Sequence, residues 1–242
     1  MRVRMTISYD GSHFYGFQVQ NSGVITVANR LEEIFRSLGI DSKFEASGRT
    51  DRGVHATGQV ISLDIPPFWQ NDLQRLCQAI NHKALPHIYV RSIETVASTF
   101  HARYDAKKRA YRYIVSDTEP CVFQTAYRLF VKRFDAKKIH EAVKYFEGEH
   151  DFRYFAKTGS DTKHFVREIY RADFYRYREL YVFRFEANGY LRSQIRLMVS
   201  FLLKIGYGEV SAVDLKEQLE GKRLVVREPV APNGLYLTRI WY

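Results

Sequence analysis

Lys43-Phe44-Glu45-Ala46-Ser47-Gly48-Arg49-Thr50-Asp51-Arg52-Gly53-Val54-His55-Ala56-Thr57-Gly58-Gln59-Val60-Ile61-Ser62-Leu63-Asp64-Ile65 is strand, loop and strand in succession. Lys43 to Ala46 has strand character, Ser47 to His55 is polar and punctuated by glycine, and Gly58 to Ile65 runs apolar until Pro66-Pro67 stops it. No helix separates the two strands. A doubly wound parallel sheet requires one at each crossover, so a mixed, largely antiparallel sheet is expected.

Upstream of this stretch, Val3, Met5, Ile7 and Tyr9 alternate with Arg2, Arg4, Thr6 and Ser8, the period of a strand with one buried face. Asp10 to His13 reads as a turn. Val27, Leu31, Ile34, Phe35 and Leu38 recur at helical spacing, with Thr26 as N-cap and Gly39 as the stop. Downstream, a helix is expected over 72–80, a strand over 89–96 and a basic extended segment over 103–115. The plan then repeats loosely: a helix over 135–146, strands over 166–175 and 180–187, helices over 191–205 and 213–219, and a last strand over 235–242. The fold class expected is α+β, two similar halves sharing a mixed, largely antiparallel central sheet with helices packed on it. The halves are 1–103, carrying the Asp51 loop, and 104–242, with the junction in the segment Thr99 to Arg109.

The chain has 242 residues with 45% hydrophobic and 26% charged, which excludes a disordered tail or a collagen-like rod. Lys and Arg outnumber Asp and Glu by 37 to 27, a balance that attracts polyanions, nucleic acid first. The N-terminus alternates instead of running apolar, so neither a signal peptide nor a membrane anchor is expected and the cytoplasm is the expected location. Cys77 and Cys121 form no CxxC, and the eight histidines show no HxxxH or HExxH spacing. No metal site is expected.

Chemistry concentrates at Asp51. Gly48 and Gly53 bracket it, letting the backbone approach a ligand, and Arg49 and Arg52 flank it. Guanidinium groups within a few ångströms favour the ionised carboxylate, the form a nucleophile needs. On spacing alone an Asx-type turn with solvated arginines is an equal alternative. A phosphate-cradling loop is weaker, because GxxxxGK[ST] is absent.

Gly48-Arg49-Thr50-Asp51-Arg52-Gly53-Val54-His55-Ala56 resembles the active-site signature of the tRNA pseudouridine synthase A family, in which this aspartate is the catalytic residue. Further segments follow in the family's order: Tyr9-Asp10-Gly11-Ser12 with Gly16-Phe17-Gln18, Phe100-His101-Ala102-Arg103, and Tyr111-Arg112-Tyr113. His150-Asp151-Phe152 comes next, then Ala187-Asn188 leading into a helix with Arg196, then Ala231-Pro232 with Gly234-Leu235-Tyr236-Leu237. Three departures stand out. Phe17 replaces a frequent Trp, Arg52 replaces a frequent Ala, and beyond Phe152 the match resumes only at Val166-Arg167-Glu168-Ile169.

The resemblance implies a cofactor-free isomerase that converts uridine to pseudouridine in the anticodon arm of tRNA, positions 38 to 40 in tRNA numbering. It implies a homodimer whose partner is tRNA, not DNA or a membrane, and a basic active-site cleft. Asp51 is then the catalytic carboxylate, acting either as a nucleophile or as a base opening a glycal route. Arg196 is its ion-pair partner, and Tyr111 stacks on the target uracil after the base is flipped out. Arg49 fills the vacated space, Gln18 lies near the RNA, and Arg52 adds charge beside the carboxylate. Arg103, Lys107, Lys108 and Arg109 make a basic run beside Tyr111 that suits phosphate contacts, with a charged strand edge as the structural alternative, above all for the lysines. Arg192, four residues before Arg196, is expected on a neighbouring face of the same helix. His55 and His101 read as hydrogen-bonding scaffold. A non-catalytic RNA-binding module would use the same basic surface but be indifferent to Asp51. A deaminase or glycosidase is disfavoured by the absent zinc signature and the lack of a second carboxylate motif.

Overall fold

The computed structural model describes residues 1–20, 23–157, 159 and 164–242. In chain order its elements are β1 (Arg2–Tyr9), α1 (Val27–Ser37), β2 (Glu45–Ala46), β3 (His55–Asp64), α2 (Leu73–Ala84), β4 (Ile88–Thr95), β5 (Lys108–Ser116), β6 (Leu129–Phe130), α3 (Ala136–Ala142), β7 (Gly148–Asp151), β8 (Val166–Tyr177), β9 (Leu180–Ala187), α4 (Gln194–Gly206), α5 (Ala212–Leu219) and β10 (Leu235–Trp241). They fall into two units: Met1–Lys107 together with Tyr236–Tyr242, and Lys108–Leu235.

In the first unit β1 pairs antiparallel with both β3 and β4, and β10 joins β3 in parallel through Tyr236 opposite His55 and Leu237 opposite Ala56. β2 adds to β3 with Ala46 opposite Ile61. Val3, Met5, Ile7 and Tyr9 are buried and the residues between them are not, as their alternation requires. β3, with strands on both edges, is buried on both faces. Gly58 permits the approach of β10, since a Cβ there would lie 2.2 Å from the Thr238 oxygen.

Thr26 caps α1 by accepting from Asn29 N at 3.2 Å, and Asp72 caps α2 by accepting from Arg75 N at 2.8 Å. Leu31, Ile34 and Phe35 of α1 and Leu76 and Ile80 of α2 form the helical side of the core, each worth roughly 1.5–3 kcal/mol of burial. Phe44 joins α1 to the site region, edge-on to Phe35 at 5.8 Å and to Phe17 at 6.3 Å.

The second unit has an antiparallel sheet in the order β5-β9-β8-β7, with β6 added to β5 in parallel. Phe146, Phe152, Phe155, Phe185 and Phe201 interlock in its core at ring separations of 5.4–6.4 Å. Both units are thus α+β with mixed, largely antiparallel strands, the class the sequence predicts. Among the described residues no helix is long and apolar enough to cross a membrane.

Several elements differ from expectation. The strand foreseen over 43–46 shrinks to Glu45–Ala46, and the extended segment over 103–115 starts with a turn, so that β5 begins only at Lys108. The helix over 135–146 ends at Ala142 and tightens into a 3-10 turn over Val143–Phe146. β7 carries Gly-Glu-His-Asp, with no apolar alternation, and is a strand because β8 supplies its pairing.

α4 departs most. It starts at Gln194 because Ser193 takes a left-handed backbone, φ 62°, which interrupts the helix there. Arg192 therefore lies in the preceding turn and not on a helical face beside Arg196. α4 is also buried on nearly all sides: only Arg196 and Lys204 keep partial exposure.

Candidate active site

The Asp51 loop is fastened from several directions within the first unit. At its start Ser47 N donates to Val60 O at 2.9 Å, and the buried Gln59 side chain accepts from Ser47 Oγ at 2.6 Å while donating to Gly48 O at 2.7 Å. In its middle the Tyr9 hydroxyl bonds Thr50 Oγ1 at 2.8 Å, and Phe17 N donates to Thr50 O at 3.0 Å. At its end Val54 N donates back to Asp51 O at 3.1 Å. With the backbone satisfied on both sides of it, Asp51 is held half-buried while Arg49 and Arg52 are exposed.

Two glycines make this clasp possible. Gly16, at φ +98°, runs so close that a Cβ would stand 3.1 Å from Thr50 O and 3.3 Å from Arg52 N. Gly11 is tighter still, with a virtual Cβ 2.1 Å from Val54 O. Gly11 N also donates to His55 Nδ1 at 3.0 Å, and the His55 ring stacks on Tyr236 at 4.7 Å. His101 Nδ1 likewise accepts from Arg103 N at 3.1 Å and Tyr104 N at 3.3 Å. Both histidines serve as hydrogen-bonding scaffold.

The other first-unit residues of interest lie on its surface. Gln18 and Lys107 are exposed, and Arg103 is exposed with its guanidinium 5.6 Å from the Tyr104 ring. Arg52 lies with its guanidinium carbon 4.1 Å from the centroid of Tyr15.

In the second unit Tyr111 and Tyr113 share the buried face of β5. Tyr111 meets Tyr190 edge to face, centroids 5.2 Å apart at 82°. Tyr113 donates its hydroxyl to Ala231 O at 2.5 Å; burial pushes its phenol far above the usual value, against the opposing charge of Arg196. Arg196 thus presents its cation close enough to be felt at Tyr113, while its Nε donates to Val230 O at 2.7 Å. A half-buried guanidinium is costly unless it is hydrogen-bonded, and the Val230 carbonyl supplies such a bond.

Lys108, Arg109 and Arg192 are accounted for differently. Lys108 Nζ donates to Glu186 at 2.7 Å, Arg184 bonds the same carboxylate, and Arg109 donates to Asn188 O at 2.9 Å. Burial pushes the Glu186 carboxyl up, but the hydrogen bonds and charges of Lys108 and Arg184 outweigh it and hold the group below the usual carboxylate range. Arg192 is exposed, and its carbonyl accepts from Lys157 N at 2.9 Å.

Sequence reasoning passed over Gln59, Tyr15, Glu186 and Tyr190. Tyr15 sits between two quoted motif residues and could have been noticed; Glu186, beside Ala187-Asn188, gives no signal until strand register sets it next to Lys108 and Arg184. Tyr190 has a buried hydroxyl with no hydrogen-bond partner among the described residues, and burial, then Tyr111 and Glu186, raise its phenol well above the usual value. Among the described residues no group of three or more His, Cys, Asp or Glu could hold a metal ion.

A family model described as tRNA pseudouridine synthase matches residues 5–105 and 142–242. The chain is 44% identical over 234 residues to tRNA pseudouridine synthase A of Wolinella succinogenes, covering 97% of this chain and 92% of that one. Identity is 40% to the proteins of that name from Helicobacter hepaticus, over 99% of this chain and 98% of the relative, and from Campylobacter jejuni subsp. doylei, over 100% of both. Among solved structures, a chain of a Cbf5-Nop10-Gar1 complex aligns at a TM-score of 0.36 and 14% identity, over 83% of this chain and 45% of that chain.

Proposed function

The chain belongs to the tRNA pseudouridine synthase family, and from that membership we propose that it isomerises uridine to pseudouridine in the anticodon arm of tRNA, at positions 38 to 40, with Asp51 as the catalytic carboxylate. The observation that carries the assignment is the Asp51 loop, whose backbone is clasped by Gly11, Gly16, Tyr9 and Gln59 while its arginines stay exposed. Holding a reacting group in one geometry lowers the entropic cost of reaching the transition state, and the clasp on this loop would do that for Asp51.

The reaction breaks the bond from N1 of uracil to ribose C1′, turns the base and joins C5 to C1′. The proton on C5 leaves and N1 gains one, so no electrons are exchanged and no cofactor is needed. In this reading Asp51 acts at the sugar or base, by direct attack or through a glycal, and Arg196 orients and ionises it. Tyr111 offers a flat face to the flipped uracil, and the neutral Tyr113 and Tyr190 behind it keep that face apolar. Arg49 occupies the space the base leaves. Arg52, Gln18, Arg103, Lys107, Arg109 and Arg192 contact the RNA, mostly at phosphates, which position the substrate without reading its sequence.

Division of labour follows the chain: the half 1–103 brings the Asp51 loop and the half 104–242 brings Tyr111 and Arg196. A homodimer acting on tRNA in the cytoplasm, with no DNA or membrane partner, completes the proposal. Release of tritium from tRNA carrying C5-labelled uridine tests it, because only a reaction at C5 frees the label. Stoichiometric release from positions 38 to 40 is expected. tRNA binding with no release would mark a non-catalytic RNA-binding module instead.

A further inference from the structure

We propose that Tyr15 and Arg52 form a built phosphate subsite beside Asp51, in which the tyrosine ring holds the guanidinium ready for one RNA backbone phosphate flanking the target nucleotide. This rests on the proposed tRNA reading of the Asp51 loop. The Arg52 guanidinium carbon lies 4.1 Å from the Tyr15 ring centroid, well inside the range of a cation–π contact. Both partners are held from behind. Tyr15 N donates to Ile25 O at 2.9 Å, and Gln20 Nε2 donates to Tyr15 O at 2.5 Å. Gly16 then presses the Tyr15 segment against Thr50 and Arg52, so the stack is built into the same clasp that fixes Asp51.

Arg103, Arg176, Arg178 and Arg239 also lie over aromatic rings, but at 5.0–5.6 Å, so Arg52 sits closer to its ring than they do. Arg2, Arg4, Arg30, Arg153, Arg171 and Arg223 each bond a carboxylate of their own unit. Arg52 is exposed and, among the described residues, pairs with no carboxylate. Stacking occupies the face of a guanidinium and leaves its edge N–H donors available, and that planar edge is matched to phosphate oxygens. Tyr15, 42% exposed, cannot neutralise the charge; it only orders the side chain. An ordered, uncompensated guanidinium one residue from the carboxylate is suited to an anion next to the sugar on which Asp51 acts. A base stacked on the open face of Arg52 is the competing use of the same geometry.

Salt dependence separates these. Binding of tRNA is measured over a range of salt concentrations for the wild type, Arg52→Gln, Tyr15→Leu and the double variant, alongside tritium release and thermal denaturation of each protein. Loss of one phosphate contact should lower the magnitude of the log Kd against log salt slope by about 0.7–0.9 in Arg52→Gln and weaken binding about tenfold or more. Tyr15→Leu keeps the charge, so it should weaken binding severalfold with little change of slope. The double variant should match Arg52→Gln alone, because the ring acts only through the cation. An unchanged slope with weakened binding overturns the phosphate assignment in favour of base stacking. Unchanged binding with a lowered denaturation temperature reduces the pair to a surface support and also overturns it. If the wild type itself releases no tritium, the parent reading fails, and that outcome is distinct from both.

Discussion

Replacing Gly11 with Ala asks whether the clasp on the Asp51 loop matters for chemistry. The new Cβ would stand 2.1 Å from Val54 O and 2.4 Å from Val54 C. Ordinary carbon contacts settle at about 3.5 Å, so the two segments must part by more than ~1 Å. The backbone that has to move carries Gly11 N to His55 Nδ1 and lies three residues past Asp51. Overpacking of this kind costs roughly 1–3 kcal/mol, and each kcal/mol lowers the denaturation temperature by roughly 2–4 °C for a chain of this size. The effect on rate is expected to be larger, because misplacing a reacting group by ~1 Å costs on the order of 100-fold. Tritium release at saturating tRNA measures it directly. Gly39→Ala is the control: at φ +70° a side chain is strained there, and its Cβ would meet the Phe68 ring at 3.0 Å, at the end of α1 and not in the clasp. Destabilisation in both variants, with the large rate loss confined to Gly11→Ala, is the predicted pattern. Wild-type turnover in Gly11→Ala, or an equal rate loss in Gly39→Ala, would refute the reasoning.

Three further outcomes are expected. Tyr190→Phe removes a buried hydroxyl that has no partner among the described residues, and since an unsatisfied group of this kind costs about 1–3 kcal/mol, the free protein should denature at a higher temperature; a fall would mean the hydroxyl is satisfied by water. Glu186→Gln should destabilise at neutral pH and less so in acid: the Glu186 carboxyl is held below its usual range, so its contribution is present above the unfolded pKa and fades as pH falls through the folded one, below about pH 4.3. Wild-type and variant denaturation curves that stay equally far apart down to pH 3 would contradict this. Thr26→Ala removes the α1 cap, and a loss of about 1 kcal/mol in chemical denaturation is expected; no loss would show that the cap bond to Asn29 N contributes little.

Much of the fold was legible because its signals are local. The alternation of Val3, Met5, Ile7 and Tyr9 and the cap at Thr26 depend on neighbours in sequence, and each appears where the pattern puts it. What depends on pairing was not legible. β7 is polar and gains strand geometry only from its pairing with β8. The turn at Ser193, which takes Arg192 off the helix, has no glycine to announce it.

The site divides in the same way. The Asp51 loop is contiguous and carries its own signature, so it could be singled out from residues 46–56 alone. Its supports are distant: Gln59 grips Gly48 O from the middle of β3, and Tyr9 reaches Thr50 from the end of β1. Flanking charge was foreseen for Arg52, but not the Tyr15 ring on which it rests, which only the crossing at Gly16 brings alongside.

Asp51→Asn keeps the size and most of the hydrogen-bonding capacity of the side chain while removing its charge and nucleophilicity. Measured with C5-tritiated tRNA under single-turnover conditions, this variant should release no label above background while still binding tRNA with close to wild-type affinity. Label release at a rate near that of the wild type would show that the chemistry runs without this carboxylate.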